Sequence, residues 1–338
     1  MAHGFLNGAR YDQDEMSLAQ HIEGSIVDIK IPEGVKVITD YLFYSSGRFI
    51  KSVSIPNTVQ QIRPQAFNSI GADVGIDQVV IPDSVTSLGA NSFRYSGVRS
   101  FVISPNIRYL YTQTFDGCKQ CTLYDFSRHE SVPILQETNV FGGINAEAKI
   151  LVPAELYHEW IKATNWSAYA DYILVKAPEF PDPGYVSEGL EINNGIVEGL
   201  GSCTDSTVVI PSEYNGEPVT DIDISGMDEE TIEHLVFNDL IFYVSWTLGY
   251  LPELKRVTFG AGLKGVGPGV FNENAKCTVY DFTRCLAVPE LQLLLGDEVF
   301  SFTGMPDDCR IYVPHSLYDE WINDTNWSYY ADRIVPAI

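Results

Sequence analysis

The sequence predicts an α/β repeat: two tandem solenoid modules of short parallel strands and loops, each closed by a strand–helix cap. Three observations carry this. An apolar skeleton recurs at fixed internal spacing, as Ile31, Val35, Ile38, Phe43; Ile55, Val59, Ile62, Phe67; Ile81, Val85, Leu88, Phe93; and Ile103, Ile107, Leu110, Phe115. The gaps between copies vary by a few residues, which suits stacked coils that take up slack in surface loops. The ending of the first half is then spelled out again at the end of the second. A repeat of roughly 24 residues signals a solenoid before any other architecture.

Residues 1–25 lack the repeat and read as an N-terminal arm or cap. Tyr11-Asp12-Gln13-Asp14-Glu15 is acidic, and Met16 to Ile22 reads as a short helix covering the open end of the solenoid. An uncovered end exposes a slice of core, so capping is preferred over an arm that docks on another subunit. The first module spans 26–177. An extended run precedes each Ile: Val27-Asp28-Ile29-Lys30-Ile31, Val53-Ser54-Ile55, Val79-Val80-Ile81 and Phe101-Val102-Ile103. Alternation puts Ile29 and Ile31 on one face and Asp28 and Lys30 on the other. Pro follows the Ile directly in three coils and one residue later in the fourth, ending the strand because it has no N–H for the ladder. Phe43, Phe67, Phe93 and Phe115 are expected to stack as an interior column, each buried ring contributing about 2 kcal/mol or more.

The module then changes wording: Cys121 to Arg128, a loop through Val132-Pro133 to Val140-Phe141, the run Ile150-Leu151-Val152, and Pro153 opening a helix with Leu156, Trp160 and Ile161 on one side. Residues 178–187, with Pro181 and Pro183, read as a stiff linker. The second module spans 188–338. Asn194-Gly195 marks a tight hairpin turn. The repeat restarts at Val208-Val209-Ile210-Pro211, accepts an insert from Glu213 to Pro218, is degenerate around Leu235-Val236-Phe237, and is clear again at Val257-Thr258-Phe259, Leu263, Val266 and Phe271. Cys277 to Arg284 answers Cys121 to Arg128. Ile311 to Pro314 answers Ile150 to Pro153, Leu317 to Trp321 answers Leu156 to Trp160, and Asp324 to Ser328 answers Ala163 to Ser167.

The stretches Ser54-Ile55-Pro56-Asn57-Thr58-Val59-Gln60-Gln61-Ile62 with Gln65-Ala66-Phe67, and Val80 to Gly89 with Phe93, resemble the BspA-type bacterial leucine-rich repeat. The likeness covers most of the chain and is specific to fold. It implies a curved, right-handed leucine-rich-repeat solenoid used for binding or adhesion, often at bacterial surfaces and sometimes in phage-encoded proteins.

The formal net charge of -24 over 338 residues argues against nucleic acid, whose phosphates recruit Lys and Arg, and against an anionic membrane surface. No apolar run has the length of a membrane span, so membrane insertion is not expected. The start, Met1 to Phe5, shows no secretory signal, which fits awkwardly with an adhesin and well with a virion part made in the cytoplasm. Six cysteines are too few and too irregular for a disulfide framework. Cys118 and Cys121 form a lone CxxC, Asn274 replaces Cys118 in the second module, and the pair reads as ordinary thiols, with no metal site or cofactor expected.

The duplication also tests for chemistry. His158 is answered by Asp319, and His129 by Cys285. No nucleophile stands in a recognisable setting beside a His and a carboxylate, and no phosphate loop or metal-helix pattern is present, so no enzyme is expected. Asp125 and Asp281, Glu159 and Glu320, Asn165 and Asn326, and Asp171 and Asp332 do recur, but with Tyr157, Trp160, Trp166 and Ile173 as Tyr318, Trp321, Trp327 and Ile334. Polar and apolar positions repeating together point to one folded cap copied twice, in which the aromatics seal the core rather than stack on sugars. The sequons Asn165-Trp166-Ser167 and Asn326-Trp327-Ser328 read as chance.

The expected function is non-enzymatic binding of a protein or glycan at an extracellular-facing surface. The candidate binding residues are the outward strand positions Asp28, Lys30, Ser52, Ser54, Gln78, Val80, Ser100 and Val102, with Arg256 and Thr258 in the second module; loop-borne contacts are an equal option. A virion component, or a surface-layer partner engaged through the N-terminal arm, is the second reading.

Overall fold

The computed structural model describes residues 28–44, 47–179, 185–223, 231–245, 251–292 and 301–338, and the backbone of the strands at 3–6, 9–12 and 17–18. The chain forms two compact units, Met1–Val175 and Lys176–Ile338.

The first unit is a parallel β-solenoid with two rows of short strands. The first row contains Asp28–Lys30 paired in parallel with Ser52–Ser54, followed by a separate parallel ladder of Val79–Val80, Ser100–Val102, Leu123–Asp125, Lys149–Val152 and Ile173–Val175. The first four are the extended runs that the sequence places before each skeleton Ile. Ile29, Val79, Phe101 and Tyr124 point into the core, while their neighbours point out. The second row, Val37–Ile38, Gln61–Ile62, Ser87–Leu88, Tyr109–Leu110 and Ile134–Leu135, is also parallel. Each of its strands is two residues long, too short for alternation to reveal it. The row begins with Ser17–Leu18, which pairs with Val37–Ile38 and antiparallel to Ala9–Asp12, itself paired with His3–Leu6. The helix expected over 16–22 is therefore corrected at Ser17–Leu18, where ladder pairing overrides local helical periodicity; the rest of that span lies outside the described residues.

A third ladder runs through the phenylalanine turns. The Phe67 amide donates to Ser92 O (2.8 Å), the Phe93 amide to Thr114 O (2.9 Å) and the Phe115 amide to Val140 O (2.8 Å). Two residues before each Phe the backbone is left-handed, at Tyr41, Gln65, Asn91 and Gln113 (φ 59°, 57°, 58° and 54°). A side chain there costs on the order of 1 kcal/mol. The turn tolerates it because each of these left-handed turns also ties into the next coil: the amides of Gln65 and Asn91 donate to Ala90 O and Thr112 O. Inside the turns the rings stack in file. Phe43, Phe67, Phe93, Phe115 and Phe141 follow one another at 5.0, 5.1, 5.9 and 5.5 Å, with interplanar angles of 9–12°.

The second unit repeats the plan. Its first row runs Thr207–Val209, His234–Val236, Arg256–Thr258, Val279–Asp281, Arg310–Pro314 and Ile334–Ala337, all parallel. Its second row contains Tyr243–Val244, Gly265–Val266 and Glu290–Leu291. Glu191–Asn193 and Ile196–Gly199 form the expected hairpin, with Asn194 and Gly195 both left-handed, as a two-residue type I′ turn requires. The insert from Glu213 to Pro218 is a second hairpin, Glu213–Tyr214 against Glu217–Pro218. The degenerate coil around Leu235 folds normally. It moves the aromatic file to the strand end, where Phe237, Phe259 and Phe282 stack at 5.5 and 4.0 Å.

Candidate functional site

The outward positions of the first row divide the two units. In the first unit Asp28, Lys30, Ser52, Ser54, Gln78 and Val80 are exposed, and Ser100 and Val102 are half-buried. Register places Ser52 beside Asp28 and Ser54 beside Lys30, and the Ser52 hydroxyl donates to Asp28 Oδ1 (2.6 Å). In the second unit the expected binding positions are not open. Thr258 is fully buried. Arg256 turns inward, donating from Nη2 to Asp281 Oδ2 (2.9 Å) and Pro178 O (3.3 Å) and from Nη1 to Glu179 O. Ser187 pairs with Val209 through its own amide and hydroxyl. The segment flanking the second unit's first row is thus fastened at 178–179 and at 187; the expected linker's residues 180–184 lie outside the described residues. Burial raises the Asp281 carboxyl above its ordinary value, against the opposing pull of Thr283 and Arg256.

The sequence reading missed a group of exposed apolar residues. Tyr109 (48 % exposed) and Ile134 (55 %) are paired neighbours on the second row. Tyr41 and Tyr95 stand on the left-handed turns. The signal for Tyr109 was in the repeat alignment: it precedes the skeleton residue Leu110 as Gln61 precedes Ile62 and Ser87 precedes Leu88, where a polar residue was free to stand.

The recurrent polar residues of the caps serve the fold. The second row ends at Ile134–Leu135, leaving carbonyls with no following strand. Trp166 Nε1 donates to Pro133 O (2.6 Å) and Asn165 Nδ2 to Leu135 O (2.8 Å). The second cap does the same, Trp327 Nε1 to Pro289 O (2.7 Å) and Asn326 Nδ2 to Leu291 O (2.7 Å). The last phenylalanine turn is closed from the opposite polarity: the Phe141 amide donates to the Tyr169 hydroxyl (3.3 Å), which donates to Thr138 O. An unpaired strand edge invites another chain, and these side chains satisfy it. Because Asn165 and Asn326 spend their amide nitrogens on backbone carbonyls, both sequons are parts of the cap. Trp160, Trp166, Trp321 and Trp327 are fully buried. The cap aromatics therefore seal the core.

Of the repeated carboxylates, Asp125 and Asp281 are likewise engaged, while Glu159, Glu320, Asp171 and Asp332 are exposed. Asp125 Oδ1 accepts from the amide (2.9 Å) and hydroxyl (2.6 Å) of Ser127, and Asp281 Oδ1 from the amide (3.0 Å) and hydroxyl (2.7 Å) of Thr283. Arg128 reaches back two coils to Asp83 (2.8 Å), and Arg284 to Asp239 (2.5 Å). Burial pushes the Cys118 thiol up to about 12 and Cys121 to about 11, leaving neither as a thiolate near neutrality. Burial depresses His129 to about 4, so its ring is neutral inside the aromatic cap, edge-on to Trp160 at 5.9 Å. Among the described residues no three His, Cys, Asp or Glu side chains gather as a metal site, and no helix is long and apolar enough to cross a membrane.

Residues 22–141 match the family model of the BspA type leucine rich repeat region, in six copies. No curated protein matches the chain. Among solved structures, a leucine-rich repeat protein from Bacteroides ovatus is 14 % identical, covering 93 % of this chain and 89 % of its own, with a TM-score of 0.27. A leucine rich cell surface protein from Faecalibacterium prausnitzii is 16 % identical with the same coverages and a TM-score of 0.28. The pneumococcal vaccine antigen PcpA is 13 % identical, covering 96 % of this chain and 83 % of its own, with a TM-score of 0.27.

Proposed function

From a chain whose residues 22–141 are a BspA-type leucine-rich repeat region, we propose a non-enzymatic binding protein that recognises a protein or glycan partner at a bacterial surface. One observation carries the reading. On the same strands, inward positions hold a narrow set of apolar residues, while outward ones differ from coil to coil: Ser54, Val80, Val102 and Asp125 along one column, and Gln61, Ser87, Tyr109 and Ile134 along another. A core column must repeat for coils to stack, whereas a recognition column is free to vary. Exposed Tyr and Ile among polar neighbours add the amphipathic surface that recognition favours. Of the groups singled out by the duplication, Asp125 and Asp281 are held by the side chains beside them and His129 is buried in the first cap, which supports binding over hydrolysis.

The test is binding of the full chain to a glycan array and to surface proteins of candidate host cells, repeated with Tyr109→Ala plus Ile134→Ser and with Val80→Glu. A specific partner lost by one set of face variants, with thermal stability unchanged, is expected. A saturable turnover of any substrate that these variants leave intact would contradict the reading. A virion role remains the second assignment. The pairing of Ser17–Leu18 with Val37–Ile38 supports a capping use of the N-terminal strands over a docking arm, which weighs against attachment to a particle through that arm.

A further inference from the structure

The two units carry the same carboxylate in the same cradle, and only one of them supplies it with a cation. In the second unit, Asp281 binds Thr283 through Oδ1 and the Arg256 guanidinium through Oδ2. Register fixes the counterparts. Arg256 pairs with Val279 and Thr258 with Asp281; Ser100 pairs with Leu123 and Val102 with Asp125. Ser100 therefore stands where Arg256 stands, and Asp125 where Asp281 stands. Asp125 Oδ1 is held by Ser127 as Asp281 Oδ1 is by Thr283. Where Arg256 would reach, the first unit offers the Ser100 hydroxyl, whose oxygen is buried without a hydrogen-bond partner.

The surroundings differ in the same sense. In the second unit, the carbonyls of Pro178 and Glu179 lie on Arg256, and Thr258 and Asp281 are fully buried. In the first unit the matching column is open: Val80 is 47 % exposed, and Val102 and Asp125 are half-buried. Two valines beside an oriented carboxylate form an apolar strip ending in a fixed negative charge. The arginines next to these strands in sequence are committed elsewhere, Arg99 to Asp77 (2.5 Å) and Arg128 to Asp83. With a chain charge of -24, the long-range field also draws a cationic partner.

We propose that the column Val80–Val102–Asp125 with Ser100 is a binding site for an extended polypeptide segment of a partner protein. The partner's arginine takes the place that Arg256 fills in the second unit. The guanidinium pairs with Asp125 above the small Ser100 side chain, and the partner's adjacent apolar side chains lie on Val80 and Val102. A fork of N–H donors matches a carboxylate whose other oxygen is already fixed. The proposal rests on the binding reading above and names the chemistry of its partner.

The experiment uses the full chain and fluorescein-labelled acetyl-Val-Arg-Val-Arg-Val-amide as probe, read by fluorescence anisotropy. A second probe replaces both arginines by citrulline, which keeps shape and removes charge. The wild-type chain is expected to bind the arginine probe at least tenfold more tightly than the citrulline probe. Asp125→Asn should lose at least tenfold. Ser100→Arg, which installs the second unit's own cation, should lose binding altogether. Glu130→Gln, which removes the same charge from an exposed position, should change binding less than twofold. Circular dichroism melting checks that each variant folds; should Ser100→Arg not fold, Asp125→Asn and the citrulline probe decide. Equal losses for Asp125→Asn and Glu130→Gln, equal affinity for the two probes, or no binding to the wild type would each overturn the proposal. A partner found in the surface screen that still binds Asp125→Asn would overturn this site while leaving the general binding reading intact.

Discussion

The two units close the ends of their second rows with the same pair of side chains and differ just behind that closure. Each cap uses a tryptophan and an asparagine to close the last carbonyls of the second row. Yet beneath the first cap lies His129 and beneath the second Cys285, and the first unit has the small Ser100 where the second is held by Arg256. Even the aromatic file shifts. The first unit stacks five rings through its turns, while the second stacks Phe237, Phe259 and Phe282 at its strand ends and Phe271 on Phe302 in its turns. What stays the same closes the backbone, and what changes fills space or faces outward. The coil demands hydrogen-bond closure at its end, but it accepts any apolar ring that fills the layer.

The largest test removes the shared element. Trp166→Ala and Trp327→Ala each delete a fully buried ring and a hydrogen bond to a row-end carbonyl, and each should cost about 3–5 kcal/mol. Denaturant unfolding followed separately for each unit should find each loss confined to its own unit and the two losses similar. A loss in one unit alone would break the equivalence of the caps.

Acid should separate what the caps have in common. His129 in the folded chain takes a proton only near 4, against an ordinary value of 6.5. Between those values the unfolded chain binds more protons, so stability falls as pH falls. The contribution is complete above 6.5 and amounts to about 3 kcal/mol lost by pH 4. The first unit should therefore weaken in that window, and His129→Cys, which copies Cys285, should remove that part of the slope. Unfolding curves of the two proteins from pH 7 to pH 4 measure it; parallel curves would show that His129 is not buried neutral.

How much of this was legible in the sequence depends on length scale. Repeats of whole side chains at fixed spacing gave the coils, the phenylalanine column and the duplicated cap, because each copy must present the same apolar points to its neighbour. The second row escaped, since two-residue strands such as Gln61–Ile62 have no period to read. So did the closure of Arg256 and Thr258, because a chain segment arriving from outside the repeat leaves no mark in the repeat's own spacing. Tyr109 was readable and overlooked, through the repeat alignment and not through alternation: it precedes Leu110 as Gln61 precedes Ile62 and Ser87 precedes Leu88, and an apolar residue in that polar column is itself the anomaly.

Smaller effects sharpen the comparison. Asn165→Ala and Asn326→Ala each leave a row-end carbonyl without its donor and should cost about 1–2 kcal/mol by thermal unfolding, with the larger loss at Asn165, whose left-handed backbone suits alanine poorly. Arg128→Ala and Arg284→Ala break ion pairs that are mostly in water, and each should cost less than about 1 kcal/mol and vanish in high salt.

Amide hydrogen exchange resolved by residue, on the wild type and on Trp166→Ala, tests most directly that stacked turns closed by a terminal cap make up the fold. The amides of Phe67, Phe93 and Phe115, each bonded to the following coil, should be strongly protected in the wild type. In the variant, protection should fall first at Phe141 and Phe115 and fade toward Phe67, with Phe237 and Phe259 unchanged. Fast exchange of these three amides in the wild type, or uniform loss across both units in the variant, would contradict it.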